Sequence, residues 1–209
     1  EAGGCGTQFV KISKNGKERF QSTLPKNSDQ IVEALPETFS FCCASVMIKR
    51  EVYDDLGGFN SYFNGVNDED HYWVALISLK HGLNNIDRHL YYYRYNPTSL
   101  TKNIKNINPK RKYVHHITKF LIGQQKIRGT NDLTEENFEE IRRIENSCHE
   151  QYDSDPSFIY RDFANQYVYW NDHKNAFKAS LTAFDRRSSF LNMKYCISSL
   201  IKMITHWKI

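Results

Sequence analysis

The segment between residues 39 and 73 constrains the possible fold more than any other part of the chain. It begins with a continuous apolar run over 39–48 (FSFCCASVMI), which has the length of a buried β-strand. A short helix is predicted over 49–56, and it ends at Gly57-Gly58 because glycine terminates helices without steric cost. A buried strand that leads through a helix and a glycine turn toward a second helix is typical of an α/β protein.

An acidic cluster, Asp68-Glu69-Asp70, follows the glycine turn. Asp68 is predicted to cap a helix over 69–81, and Gly82 lies where that helix is expected to end. Glu69 and Asp70 then occupy the first turn, where the helix dipole favours an ionised carboxylate that is ready to accept a proton. Beside a turn opened by glycines, such a carboxylate is suited to activating a sugar hydroxyl. The alternative is a helix N-terminus that is only solvated.

The chain divides into two regions of different sequence texture. Residues 1–101 form the predicted α/β region, in which Asn15-Gly16 marks a hairpin. Residues 102–110 are polar, rich in Asn and predicted to be a linker, and residues 111–209 form a predicted all-helical C-terminal region. Strands are predicted over 7–12, 39–48 and 90–95, and helices over 30–35, 49–56, 69–81, 111–128, 134–152, 156–171, 173–184 and 190–207.

Composition and charge are those of an ordinary globular protein, with 40% hydrophobic residues and a net charge of +4. No block of like charges suggests a tail that binds nucleic acid, so nucleic acid is not an expected partner. The five cysteines are odd in number and form no CxxC pair, which favours free thiols in the reducing cytoplasm. The sequence contains no apolar run long enough to span a bilayer. The expected location is cytoplasmic, with peripheral contact at the inner face of the membrane left open.

The order of these motifs resembles a known enzyme family. The GGFN turn at 57–60, the Glu-Asp pair at 69–70 and the LYYYRYNPTSLT stretch at 90–101 resemble the second, acceptor-side half of family 2 glycosyltransferases of the GT-A type. They are also similar to the C-terminal segment of the galactosyltransferase families. The resemblance covers roughly half of the chain. It implies a partial GT-A fold, which binds nucleotide-diphospho-sugars, followed by the helical C-terminal region.

The resemblance also implies roles for individual residues. Asp70 would be the general base that takes the proton from the acceptor hydroxyl, so that the sugar is transferred with inversion, and Glu69 would orient the acceptor or support Asp70. An arginine near the diphosphate, Arg94, would neutralise charge on the leaving group. Trp73 is expected to bind substrate, and the alternative is that it packs in the core. The residues expected to bind substrate belong to the turn, the helix and the last strand: Gly57, Gly58, Phe59, Asn60, Trp73, Tyr93 and Arg94.

Some parts of the family pattern differ or are missing. Asn60 stands where the family commonly has Asp. The nucleotide-binding strands and their Asp-x-Asp metal site would precede residue 1, and Asp153-Ser154-Asp155 is better interpreted as a helix cap. Mg²⁺ or Mn²⁺ is therefore expected as a cofactor of the full-length protein, with no metal ligands in this chain. We expect this chain alone to be inactive.

The expected partners are a nucleotide-sugar donor and a glycan or lipid-linked acceptor. The alternative function is a non-catalytic module, derived from the same family, that binds a glycan or another protein. The last predicted helix, with Lys202, Trp207 and Lys208, is suited either to packing in a core or homodimer or to lying on a membrane interface.

Overall fold

The computed structural model describes residues 2–96, 99 and 109–205. Most of the predicted linker, together with Trp207 and Lys208, lies outside the described residues. The strands are β1 Gly4–Ile12, β2 Glu18–Gln21, β3 Met47–Ile48 and β4 Leu83–Arg94. The α-helices are α1 Ser28–Ala34, α2 Arg50–Leu56, α3 Glu69–His81, α4 Val114–Arg128, α5 Glu139–Ser154, α6 Phe158–Tyr169, α7 His173–Arg186 and α8 Phe190–Thr205. Short 3₁₀ helices cover Cys43–Ser45, Ser61–Phe63 and Pro109–Lys112. The predicted fold class is confirmed at the level of a mixed α/β chain with a helical C-terminal region.

Two compact units make up the chain. The first comprises Glu1–Tyr95 and Tyr113–Glu145, and the second comprises Asn96–Lys112 and Asn146–Ile209. The first unit therefore contains the sheet together with α4 and the beginning of α5, which the sequence analysis assigned to the helical region.

Strand β1 is the centre of the sheet. It pairs in parallel with β4 along its whole length, from Gly4 opposite Leu83 to Ile12 opposite Arg94. Its other edge is shared by two antiparallel neighbours, β3 at its beginning and β2 at its end. The Asn15-Gly16 hairpin is confirmed, with Gly16 at φ 84° between β1 and β2. The sheet is thus mixed, and its first and last strands lie side by side.

The core of the first unit forms where the helices cover the sheet. Its apolar residues come from α1, α2, α3, β4 and the segment before the first 3₁₀ helix: Ile31, Phe41, Val52, Val74, Ile77 and Leu83. The predicted helix over 69–81 is confirmed as α3, and Gly82 ends it at φ 69°. The predicted strand over 39–48 is wrong for most of its length, since it contains a 3₁₀ helix and only two strand residues.

The Ser45 hydroxyl explains why most of the segment 39–48 is not a strand. The Ser45 hydroxyl donates to the Cys42 carbonyl at 2.8 Å and accepts from the Thr7 amide at 3.1 Å. Such local bonds from a side chain to the backbone offer the chain an alternative to a sheet ladder. The apolar run therefore turns at Cys43–Ser45 and enters the sheet only at β3.

The second unit is built around the α6–α7–α8 helices. The predicted antiparallel pair around Asn171-Asp172 is confirmed as α6 and α7, and the Asp172 side chain caps α7 by accepting from the Asn175 amide. The core of this unit alternates small and aromatic side chains: Ile159, Phe163, Ala164, Tyr167, Ala176 and Ala179. No helix within the described ranges is long and apolar enough to cross a membrane.

A buried polar network joins α6 to α8 beside this core. Asp155 accepts from the Arg161 guanidinium at 2.6 Å and from the Ser157 hydroxyl at 2.5 Å. The same guanidinium donates to Asn192 Oδ1 at 2.9 Å. Because Arg161 and Asn192 are almost completely buried, these bonds are made where water cannot replace them. The predicted helix cap at Asp153-Ser154-Asp155 is wrong, because α5 extends through Ser154 and the N-cap residue of α6 is Ser157. Asp155 instead accepts from the Ser157 amide at 3.2 Å.

The ion pair between Asp155 and Arg161 predicts how the stability of the second unit depends on pH. Hydrogen bonds from Arg161 and Ser157 lower the pKa of Asp155 from 3.8 to about 2. A carboxyl whose pKa is lower in the folded state stabilises the fold above its unfolded pKa and loses that contribution as the pH falls through the folded pKa. We expect urea denaturation to show a loss of about 2 kcal/mol between pH 4 and pH 2. In the Asp155→Asn variant this pH-dependent part should be absent, and an unchanged pH profile would contradict the assignment.

Candidate active site

The chain enters α3 through two residues in the left-handed backbone region. Asn67 has φ 89° and Asp68 has φ 69°, a conformation that Asn and Asp tolerate better than other residues with a side chain. Asp68 occupies the N-cap position, but its side chain makes no capping hydrogen bond. Burial raises the pKa of the Asp68 carboxyl, an effect that nearby Thr118 of α4 opposes. The predicted N-cap position of Asp68 is therefore confirmed, while the capping hydrogen bond is absent, and its Oδ2 atom is buried without a hydrogen-bond partner among the described residues.

His71 lies one helical turn beyond Asp68, on the same side of α3. Its ring meets the Phe39 ring edge-on, with centroids 4.7 Å apart. Burial, followed by the positive charges of Lys119 and His115, lowers the pKa of His71 to about 4. Its Nε2 atom is buried and has no hydrogen-bond partner among the described residues. At neutral pH this side chain is therefore an uncharged imidazole next to the acidic cluster.

Asp70, the predicted general base, faces the 3₁₀ helix Cys43–Ser45. Its Oδ1 accepts from the His71 amide at 2.8 Å. Burial and the Asp70 carboxylate raise the pKa of Cys43 to about 12. The thiol therefore remains protonated beside the Asp70 carboxylate. A carboxylate in this position has lone pairs left over with which to receive a proton from a bound hydroxyl.

Trp73 connects the glycine turn to α3. Its indole Nε1 donates to the Gly57 carbonyl at 2.7 Å, and its ring meets the Phe59 ring edge-on with centroids 5.4 Å apart. Phe59 nevertheless keeps 55% of its surface exposed. Because Trp73 follows Asp70 by three residues, both lie on one face of α3. The exposed Phe59 ring is thus held beside the face of α3 that carries the Asp70 carboxylate.

The rest of the turn is shaped by Gly57, Gly58 and Asn60. Gly57 has φ 72° and its amide closes α2 by donating to the Tyr53 carbonyl at 2.8 Å. A Cβ on Gly58 would have the Tyr53 hydroxyl as its nearest neighbour, at 3.6 Å, so the turn is open at this point. The Asn60 side chain accepts from the Tyr62 amide at 2.9 Å and thereby caps the 3₁₀ helix Ser61–Phe63. The oxygen of the Asn60 side chain is thus used in a hydrogen bond within the turn itself.

The two residues of β4 that were expected to bind substrate, Tyr93 and Arg94, point in different directions. Burial raises the pKa of Tyr93, and the Asp70 carboxylate is one of the groups that raise it further. Tyr93 therefore lies on the side of the sheet that faces Asp70. The Arg94 guanidinium donates to the Lys14 carbonyl at 3.2 Å, at the hairpin between β1 and β2. This separation follows from the alternation of side chains along a strand.

Glu69 and Lys11 complete the electrostatic surroundings. The Glu69 carboxylate contributes to raising the pKa values of Cys43 and Asp68, which places it near both. Lys11 lies on β1 directly opposite Tyr93. Burial lowers the pKa of Lys11, and a cysteine next to the Asp70 site, Cys42, partly opposes this effect. The region thus holds a cation that the sequence analysis did not include.

Sequence reasoning missed three side chains of this region: Cys43, His71 and Lys11. His71 could have been found, since an Asp and a His three residues apart on a predicted helix share a face. Cys43 was interpreted as part of a strand. Lys11 could not have been found, because its position depends on the pairing of β1 with a strand more than 70 residues away in sequence.

Metal binding has no obvious place in this region. Over the ranges that the structure describes, no three His, Cys, Asp or Glu side chains are close enough together to hold a metal ion. The Mg²⁺ or Mn²⁺ that the resemblance implies is expected to bind ligands outside this chain.

Comparison of the chain with models of known protein families, with curated proteins and with solved structures finds no match in any of the three.

Proposed function

We propose that this chain provides the acceptor side of a glycosyltransferase that uses a nucleotide-sugar donor. The observation that carries the proposal is the placement of Asp70 and the Trp73–Phe59 pair on one side of α3. Aromatic rings provide apolar surface against which the faces of sugar rings pack, and carboxylates bind sugar hydroxyls by charge-assisted hydrogen bonds. The motif order of the GT-A type supports the same assignment.

Asp70 acts as general base in this proposal. Its carboxylate accepts the proton of an acceptor hydroxyl as that oxygen attacks the anomeric carbon, and the nucleoside diphosphate leaves with the bonding electrons. The bond from the His71 amide holds one oxygen of this carboxylate, and the raised pKa keeps the neighbouring Cys43 thiol protonated. Phe59 and Trp73 hold the acceptor sugar, while Gly58 lets it approach the backbone. No step in this sequence is assigned to a metal ion.

Lys11 and Tyr93 are better placed than Arg94 to meet the leaving group. Arg94 is bonded to the hairpin, whereas Tyr93 lies on the side of the sheet that faces Asp70. Lys11 pairs with Tyr93 in the sheet, and its ammonium lies over the Phe9 and Phe20 rings, at 5.9 and 5.2 Å from their centroids. In the proposal this cation stabilises negative charge as it develops on a diphosphate. The role first assigned to Arg94 therefore passes to Lys11 in the proposed mechanism.

Glycan binding by this chain tests the acceptor site directly. We expect saturation-transfer NMR with a panel of oligosaccharides to identify a ligand, and Phe59→Ala to weaken its binding at least tenfold, because the exposed ring is lost. Phe158→Ala is the matched control, since Phe158 is 54% exposed in the second unit and should not affect binding. Equal binding by both variants would rule out the aromatic surface as the site.

Sugar transfer tests the catalytic role, in the protein that carries this chain together with a nucleotide-binding half. We expect Asp70→Asn to lower kcat by about 10³-fold while the Kd for the donor stays the same, because only the proton acceptor is removed. Asp54→Asn is the control, as Asp54 is exposed and paired with Arg50. Unchanged turnover in Asp70→Asn would refute Asp70 as the general base, whereas glycan binding by a protein that transfers no sugar would favour the non-catalytic binding module.

A further inference from the structure

Helix α8 is fixed to the second unit by one of its faces. The Ser199 and Ser180 hydroxyls are 2.9 Å apart, and the Cys196 thiol donates to the Ser180 carbonyl at 3.1 Å. Asn192 Nδ2 donates to the Ala183 carbonyl at 3.1 Å. These contacts with α7 determine which face of α8 points outward.

The outward face of α8 is an exposed apolar stripe. Its residues are three or four positions apart, except for the adjacent pair Leu200 and Ile201, and each is at least one-third exposed: Phe190, Met193, Ile197, Leu200, Ile201 and Ile204. On α7, Leu181 and Phe184 are also exposed, and each directly follows a residue that is bonded to α8. An apolar surface of this kind on a single helix, set against polar contacts on its inner side, marks a docking surface.

The charges on α8 indicate what this surface binds. The only charged side chains between Phe190 and Thr205 are Lys194 and Lys202, and there is no acidic residue. The Lys194 ammonium lies 4.6 Å from the centroid of the Phe190 ring, at the border of the stripe. Lysines bordering an apolar stripe are typical of helices that lie in a membrane interface, with the ammonium groups at the level of the lipid phosphates.

A second copy of the chain is a poorer occupant of this face. Two copies pressed together through α8 would bring lysines to the rim on both sides, with no carboxylate from either α8 to pair with them. Repulsion between like charges disfavours such an interface. An anionic lipid surface offers the opposite arrangement, with phosphate for the lysines and hydrocarbon for the stripe.

We propose that the outward face of α8 binds anionic lipid bilayers, with the helix lying in the plane of the interface. This binding is independent of the sugar-transfer proposal. It holds the second unit at the membrane surface by one face of one helix.

Sedimentation with lipid vesicles tests the proposal. We expect the chain to bind vesicles of phosphatidylcholine with 30% phosphatidylglycerol at least tenfold more tightly than vesicles of phosphatidylcholine alone, and to lose most of this preference in 0.5 M salt. Ile201→Glu should weaken binding at least tenfold, because it puts a charge in the stripe. Lys194→Glu should remove the preference for anionic vesicles.

The control is Ile127→Glu, which makes the same change at a residue of α4 that is 84% exposed. This variant should bind vesicles as the unmodified chain does, and circular dichroism should show that both variants keep their helix content. Equal effects of the two variants, or no sedimentation of the chain with anionic vesicles at low salt, would overturn the proposal. Dimerisation that is lost in Ile201→Glu, without any lipid binding, would assign the face to a second copy.

Discussion

Replacing Gly4 with alanine is expected to destabilise the first unit by about 3 kcal/mol, near the upper end for overpacking. A Cβ on Gly4 would lie 2.4 Å from the Met47 carbonyl oxygen, 2.8 Å from Leu83 Cδ2 and 3.0 Å from Ile48 Cα. Two of these neighbours are backbone atoms of β3, which cannot rotate out of the way. The methyl group must therefore separate strands that are hydrogen-bonded to each other on both edges of β1.

Denaturant unfolding followed by hydrogen exchange measures this effect. The Gly4→Ala chain should unfold at lower denaturant concentration, and amides of β1 and β4 should exchange faster than those of α6–α8. Gly58→Ala is the control, because a Cβ there has no neighbour closer than 3.6 Å. We expect it to change the free energy of unfolding by less than about 0.5 kcal/mol. If the Gly4→Ala chain were as stable as Gly58→Ala, then β3 and β4 would not approach Gly4 as closely as the structure places them.

Replacing Asn192 with leucine should destabilise the second unit by about 3 kcal/mol or more. The Asn192 side chain donates to Ser157 Oγ at 2.9 Å and to the Arg187 carbonyl at 2.7 Å, and it accepts from Arg161. Leucine has a similar volume, so the change removes hydrogen bonds without opening a cavity. It leaves a buried guanidinium with one acceptor fewer, and an unsatisfied buried charge is costly.

Asn165→Leu is the matched control for this experiment. The Asn165 amide is exposed and makes one bond of 3.3 Å to the Tyr195 hydroxyl. Urea denaturation should show a small change for this variant and a large one for Asn192→Leu, and hydrogen exchange should assign the loss to α6–α8. Similar losses in the two variants would mean that the buried network contributes no more than a surface hydrogen bond.

Elements with strong local signals were predictable from the sequence. The bounds of α3 follow from the acidic first turn and from Gly82, and the β1–β2 hairpin follows from Asn15-Gly16. In both places a residue with a special backbone preference marks the end of the element. The segment 39–48 was not predictable, because its hydrophobicity fits a strand while two hydrogen bonds of Ser45 determine a turn.

The candidate site was predictable only where it depends on one helix. Asp70 and Trp73 lie on the same face because they are three residues apart. The positions of Cys43 and Lys11 depend on tertiary contacts that no local pattern encodes. Asp68 is the predicted N-cap residue, but in the αL conformation its side chain makes no capping hydrogen bond, and capping statistics take no account of such a conformation.

The arrangement of the sheet sets an order for its assembly during synthesis. Strand β1 is made first, yet its longest partner is the last strand of the sheet, so that residue 4 must wait for residue 83. Until then β1 can pair only with β2 and with the two residues of β3, and so small a sheet is marginally stable in water. Buried positions such as Val10 and Ile12 stay exposed throughout that interval. The β1 segment is therefore one that chaperones are expected to bind during synthesis, until β4 has left the ribosome.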